Sequence, residues 1–179
     1  MLHFYKAELV DAASTAQLIN TCFRGDISRK GWTTEADILD GKRTTSAEIA
    51  SIIKRGDAFV LIGVLNDEVV AAACCERQVL AGKPTAHFGK IAVKPTLQDK
   101  GYGKDLIHAA EAMTKREWRV LGFHMSVISL RTELIEFYER LGYERTGEYA
   151  EFPENPELWQ PKVDGLSLQY LVKLVNGAT

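Results

Sequence analysis

Gly101 and Gly103, interleaved with Lys100 and Lys104, stand where a strand closed by Pro95 gives way to a helical pattern. A helix N-terminus presents unpaired N–H groups and the positive end of its dipole, which suits a phosphate or pyrophosphate. Glycine removes the side chain that would hold a ligand off the backbone, and it permits a positive φ where the turn needs one. Gln98-Asp99-Lys100-Gly101-Tyr102-Gly103-Lys104 is therefore a candidate phosphate cradle. The same residues also fit an ordinary glycine-containing turn between strand and helix. They are not a P-loop, because the G-x-x-x-x-G-K-S/T spacing is absent. Nor are they the three-glycine dinucleotide fingerprint.

Other residues able to do chemistry are scattered. Trp32-Thr33-Thr34-Glu35 lies in a stretch rich in Gly, Thr and Asp. A tryptophan there reads either as an aromatic wall, with Glu35 available to a cationic amine, or as an anchor of the loop to the core. Trp159, flanked by prolines, poses the same choice in a second loop. Tyr138 shares helical spacing with Leu134 and Leu141, the pattern of a core residue. No Cys or Ser sits in a recognisable nucleophile arrangement.

The elements that must position these residues follow from periodicity. His3 to Glu8 reads as a strand, and Asp11 as the N-cap of a helix running through Phe23. Arg24 to Thr44 reads as a long loop with one helical turn near Glu35 to Leu39. Thr45 and Glu48 have capping-box spacing and open a second helix that Gly56 stops. Ala58 to Leu65 and Glu68 to Val79 form a hairpin about Asn66-Asp67, and Thr85 to Val93 is the next strand. His87, Gly89, Ile91 and Val93 would share one face of it. Helices over Tyr102 to Trp118 and Leu130 to Leu141 alternate with strands Val120 to Ile128, Tyr143 to Tyr149 and Leu166 to Val175. The whole chain, 1–179, reads as one mixed α/β domain.

Gln98-Asp99-Lys100-Gly101-Tyr102-Gly103 resembles the Q/R-x-x-G-x-G/A signature of the GNAT superfamily of acyl-CoA-dependent N-acetyltransferases. Downstream, Phe137-Tyr138-Glu139-Arg140-Leu141-Gly142-Tyr143 resembles the family's F-Y-x-x-x-G-F/Y segment. The resemblance implies a mixed, mostly antiparallel sheet of about seven strands flanked by four helices. It implies that the backbone of Ile91, Ala92 and Val93 pairs with the pantetheine arm of acetyl-CoA. It implies that the amides from Gln98 to Lys104 hold the pyrophosphate, and that Tyr138 is a general acid near the thioester sulfur. His87 stands where some relatives carry a base, though a strand histidine is also an ordinary structural residue. The general base stays unassigned, with Glu35, Asp37 and Glu76 as further carboxylates. Many members carry an asparagine seven residues before the tyrosine; here that position is Arg131, which either reaches a phosphate of the cofactor or is exposed. The region of Trp32 and Glu35 corresponds to part of the acceptor pocket.

The resemblance thus implies acetyl transfer from acetyl-CoA to a primary amine, of a small molecule, by direct attack in a ternary complex. The alternatives are a non-catalytic acyl-CoA-binding or regulatory module, and a protein-lysine acetyltransferase. Composition agrees with a soluble protein: 22 basic residues against 24 acidic give a net charge of -2, without the broad positive field of a non-specific nucleic-acid binder. The longest apolar run, Val69 to Cys75, is strand-sized, so no membrane span is expected. Three cysteines without zinc spacing, and no visible secretory signal, point to a reduced, cytoplasmic protein without a metal. The C-terminal strand is open to pairing between subunits, as in many relatives; a homodimer and a monomer are both compatible.

Overall fold

Hydrophobic alternation makes the middle of the chain into a sheet, and the computed structural model describes it over residues 1–175. Its strands are β1 (His3–Lys6), β2 (Leu39–Gly41), β3 (Ala58–Leu65), β4 (Glu68–Leu80), β5 (Lys83–Val93), β6 (Gly122–Ile128), β7 (Glu144–Glu151), β8 (Trp159–Pro161) and β9 (Ser167–Leu174). The helices are α1 (Ala12–Phe23), the single turn α2 (Gly25–Ser28), α3 (Ser46–Lys54), α4 (Tyr102–Trp118) and α5 (Thr132–Arg140). Seven strands form one sheet in the order β1-β3-β4-β5-β6-β9-β7. Every neighbour pair is antiparallel except β5 with β6. The four longer helices and this sheet give the mixed α/β architecture expected.

Strand alternation sends Val60, Ile62, Ala72 and Cys74 to one face, where α1 and α3 bury them with Ile19, Cys22 and Ile49. The opposite residues, Leu61, Ala73, Phe88 and Phe123 among them, pack beneath α4 and α5 with Leu106, Ile107 and Ile135. Both Asn66 and Asp67 take positive φ, as a two-residue hairpin requires. Thr45 caps α3 by accepting the Glu48 N–H at 3.1 Å. Asp11 holds the N-cap position of α1 without a side-chain cap bond: its carboxylate instead accepts the Glu8 N–H at 2.8 Å and closes a 3₁₀ turn, and the helix starts at Ala12 as expected.

The segment 24–44 is not an open loop. It holds α2, a turn in which the Leu39 N–H donates to the Glu35 carbonyl at 2.9 Å, and β2, which pairs with β8. The pairing needs Gly41, because a Cβ there would lie 2.2 Å from the Leu158 carbonyl oxygen. Two loops far apart in sequence thus become a two-stranded roof.

A second departure lies in β5. Ala92 faces Ala72, but Gly89 faces Cys74, so Lys90 and Ile91 together oppose Ala73. Lys90 takes φ +49° at this bulge. The extra residue reverses the alternation: His87 and Gly89 belong to the α1/α3 face, whereas Ile91 and Val93 join the α4/α5 core. The four residues therefore do not share a face. No described helix is long and apolar enough to cross a membrane.

Candidate active site

The bulge has a consequence for the sheet centre. β5 and β6 pair only at Ala86–Phe123 and His87–His124, and beyond those pairs they diverge. The edge of β5 from Gly89 to Val93 is left without a ladder partner on that side. A wedge opens between it and Met125–Ile128 of β6. Two cavities meet there, and Ile91, Leu134 and Tyr138 line both.

The first, about 420 Å³, is a groove between the N-terminus of α4 and the length of α5. Asp99 and Gly101 take φ of +64° and +85°, a turn that presents successive N–H groups in one direction. The Asp105 N–H is the first in α4 to pair back, onto the Gly101 carbonyl at 3.1 Å, so the amides before it in the helix face the groove unpaired. A Cβ on Gly103 would sit 3.4 Å from Phe137, so any larger side chain projects into the groove. Trp32 packs edge-on against Phe137 with ring centroids 5.7 Å apart and forms the outer wall.

Gln98 builds this wall instead of offering its side chain to a ligand. Its amide donates to the Val93 carbonyl at 2.9 Å and to Thr33 Oγ1 at 2.8 Å, while its carbonyl accepts the Trp32 N–H at 2.8 Å. Gly31 makes room, since a Cβ there would meet Gln98 Oε1 at 2.5 Å.

The second cavity, about 210 Å³, fills the wedge under the β2–β8 roof. Phe23, Phe152 and Trp159 form its apolar walls, and four cations line it: Arg24, Arg43, Lys90 and Arg131. Glu35, 6% exposed, takes Arg24 on Oε2 and Arg131 on Oε1, the latter at 3.0 Å. Arg131 also donates to the Thr33 carbonyl at 2.6 Å. Burial lowers the Arg24 pKa from its ordinary value; Arg43 and Arg131 repel it in the same sense, and Glu35 opposes them.

Tyr138 stands between the cavities. The α5 C-terminus fixes it: the Tyr143 N–H donates to its carbonyl at 3.1 Å, the Gly142 N–H to Glu139 at 3.0 Å, and Gly142 takes φ +92°. The ring is 4% exposed, stacked edge-on against Phe137 and Tyr143. Burial pushes its phenol well above the ordinary range, so the hydroxyl keeps its proton throughout the physiological pH range.

On the floor below the wedge, where β5 and β6 still pair, His87 lines the cavity and His124 lies beside it with ring centroids 5.1 Å apart, and Nδ1 of His87 and Nε2 of His124 have no hydrogen-bond partner. Burial lowers the pKa of both; His124, also repelled by His87, falls to about 4. The thiols are quiet. Burial pushes Cys22 up to about 12 and Cys74 to about 11, and holds Cys75 protonated as well, which removes a thiolate nucleophile.

The structure thus brings Ile91, Val93, Gln98, Asp99, Gly101, Gly103, Lys104, Trp32 and Tyr138 to one groove. His87, Glu35 and Arg131 line the other cavity. Arg131 is not exposed, and its fork belongs to Glu35 and Thr33, away from the α4 amides. Glu35 is clamped between two guanidiniums and is not a free carboxylate. Ala92 points into the α1/α3 core. Arg24, Arg43 and Lys90 were missed: Arg24 and Arg43 arrive through the Glu35 bridge and the roof pairing, neither of which has a local sequence signal. Among the described residues no cluster of His, Cys, Asp and Glu is able to hold a metal ion.

Comparison with known proteins agrees with this geometry. The family described as acetyltransferase (GNAT) domain matches residues 56–145. No curated protein matches the sequence at a significant level. Among solved structures, the ribosomal-protein-S18-alanine N-acetyltransferase of Escherichia coli superimposes with a TM-score of 0.68 at 16% identity, covering 100% of this chain and 97% of that one. A probable acetyltransferase from Staphylococcus epidermidis gives 0.71 at 13% identity, covering 98% and 99%. A putative streptothricin acetyltransferase from Bacillus anthracis, in complex with acetyl coenzyme A, gives 0.65 at 14% identity, covering 98% and 100%.

Proposed function

The chain belongs to the GNAT acetyltransferases, and from that premise we propose that it moves an acetyl group from acetyl-CoA to a primary amine of a small molecule by direct attack in a ternary complex. The observation that carries this reading is the meeting of two cavities at a protonated tyrosine, with only Ile91 and Leu134 sharing the contact. The groove fits acetyl-CoA: unpaired α4 amides lie at one end, a glycine keeps the helix bare, and an unpartnered strand edge runs along its floor.

Acetyl-CoA supplies the acetyl thioester. In this reading the amides from Gln98 to Lys104 hold the pyrophosphate, and the backbone of Ile91, Ala92 and Val93 pairs with the pantetheine arm, as the family resemblance implies. The acceptor occupies the wedge. As the N–C bond forms and the C–S bond breaks, the amine loses one proton and the sulfur gains one. Tyr138 gives the second proton. The same dry surroundings that hold its phenol protonated also raise the proton affinity of a departing thiolate. His87 takes the first: its imidazole is kept neutral by burial and lines the wedge, whereas Glu35 is already committed. With all three thiols buried and protonated, no acyl-enzyme is needed. The β2–β8 roof favours a small acceptor over a protein side chain.

An amine panel with acetyl-CoA, read as free thiol and confirmed by product mass, tests this. Equimolar thiol and N-acetylated product are expected. Saturable acetyl-CoA binding with no amine-dependent thiol release overturns it in favour of a non-catalytic binding module.

A further inference from the structure

Charge in the wedge does not balance. Lys90 is neutralised by Glu48 at 2.8 Å, and Arg24 and Arg131 share the one carboxylate of Glu35. Arg43 makes no ion pair among the described residues, its acidic neighbour Glu48 being bonded to Lys90, and Arg24 Nε is buried without any partner at all. Two positive charges are left over in a small, half-enclosed cavity, where low dielectric strengthens their field. That field reaches its neighbours: burial lowers the pKa of both Arg24 and His87, and Arg43 adds to it in each, against Glu35 at Arg24 and Glu76 at His87.

Arg43 is also held in place. Its backbone N–H and that of Thr44 both donate to Asn20 Oδ1, at 2.8 and 3.0 Å, and Asn20 Nδ2 returns a bond to the Thr44 carbonyl at 3.0 Å. On its other side the Lys42 N–H donates to the Leu158 carbonyl at 2.6 Å, anchoring the roof. The main chain at Arg43 is thus fixed, and its half-buried side chain, outside any ion pair, lines the cavity as an anion receptor.

We infer that the acceptor is an amine that also bears a carboxylate, an amino-acid-like small molecule whose carboxylate seats on Arg43 while its amine faces Tyr138. This inference rests on the acetyl-transfer reading above and narrows its acceptor. The aromatic walls of Phe152 and Trp159 take the apolar body. The same charges disfavour an ammonium, so they push the bound amine toward the neutral form that attacks, which lightens the task of a weak base. They also repel an acceptor with a second cationic group, such as a polyamine.

The test compares matched pairs on the full-length enzyme at saturating acetyl-CoA: phenylalanine against 2-phenylethylamine, and leucine against isopentylamine. The carboxylate-bearing member of each pair is expected to show kcat/KM at least about tenfold higher. Arg43→Gln is expected to bring that ratio within about threefold of unity, and Arg43→Lys to restore most of it. Decarboxylated amines used equally well or better, or a ratio that Arg43→Gln leaves intact, overturn the inference while acetyl transfer stands. If no panel amine turns over, binding of N-acetylphenylalanine and of N-acetyl-2-phenylethylamine to the CoA-loaded protein decides. A tenfold preference for the carboxylate keeps the receptor and counts against acetyl transfer, whereas equal binding overturns the receptor.

Discussion

On the α4 side of Tyr138 the walls are main chain, glycine and aromatic ring, with the charged side chains Asp99, Lys104, Glu133, Glu136 and Arg140 exposed at the edge; on the α1 side Arg24 and Arg131 are buried around the one carboxylate of Glu35. The groove draws most of its lining from two short contiguous stretches, Gln98 to Lys104 and Glu133 to Arg140, with Trp32, Thr33, Ile91 and Val93 completing it. The wedge collects Arg24, Arg43, Lys90 and Arg131 from four separate elements. Backbone amides recognise a phosphate whatever the neighbouring side chains are, so a groove of this kind serves one constant ligand. Side-chain charge is set residue by residue, so in the proposed reading the wedge carries the acceptor specificity.

Three substitutions break the comparison at different depths. Tyr138→Phe, at the junction, has the largest expected effect: kcat falls roughly 10²–10⁴-fold while acetyl-CoA affinity holds, because the hydroxyl matters as the thiolate leaves. The ring and its contacts with Phe137 and Tyr143 remain, so circular dichroism should show an intact fold. A drop under about threefold, where chemistry limits the rate, assigns the proton to water or another group.

Glu35→Gln strikes the wedge first. It leaves Arg24 and Arg131 facing each other with the carboxylate gone, and should cost about 3 kcal/mol of stability in urea unfolding, near the low end for breaking a buried pair because the cluster borders a cavity. It also loosens the Arg131 hold on Thr33, and with it the Trp32 wall. Unchanged stability would mean that the bridge is a solvated surface pair.

The smallest effect concerns the wedge floor. An unfolded His124 protonates near its ordinary 6.5, the folded one near 4, so acid favours the unfolded chain. Stability is therefore whole above pH 6.5 and declines as pH falls toward 4, by about 1–2 kcal/mol for this residue after allowing for its partial burial. His87 acts in the same direction. Urea midpoints across that range, for wild type and His124→Asn, measure it; the variant should show the shallower slope.

What the sequence disclosed follows the same division. The seven strands and four longer helices were readable because each repeats its own local period. The α4 turn was readable because Gly101 and Gly103 mark a backbone need at that very place. The wedge was not. The bulge is marked only by Gly89, an isolated glycine inside a strand pattern, while the positive φ of +49° falls on Lys90, and it defeats the alternation that placed His87 beside Ile91. Arg24 and Glu35 look like loop charges until the Gly41–Trp159 pairing and Arg131 bury them. A residue whose meaning depends on a partner 96 positions away carries no local period or spacing to read.

In the proposed reading the groove, not the wedge, holds acetyl-CoA. Calorimetric titration of acetyl-CoA into wild type, Gly103→Asp and Arg43→Gln tests it most directly. Gly103→Asp puts a carboxylate among the α4 amides and should weaken binding at least about thirtyfold, whereas Arg43→Gln should change it by less than about threefold. Equal affinities of folded wild type and Gly103→Asp, or a loss confined to Arg43→Gln, would contradict the assignment of the two cavities.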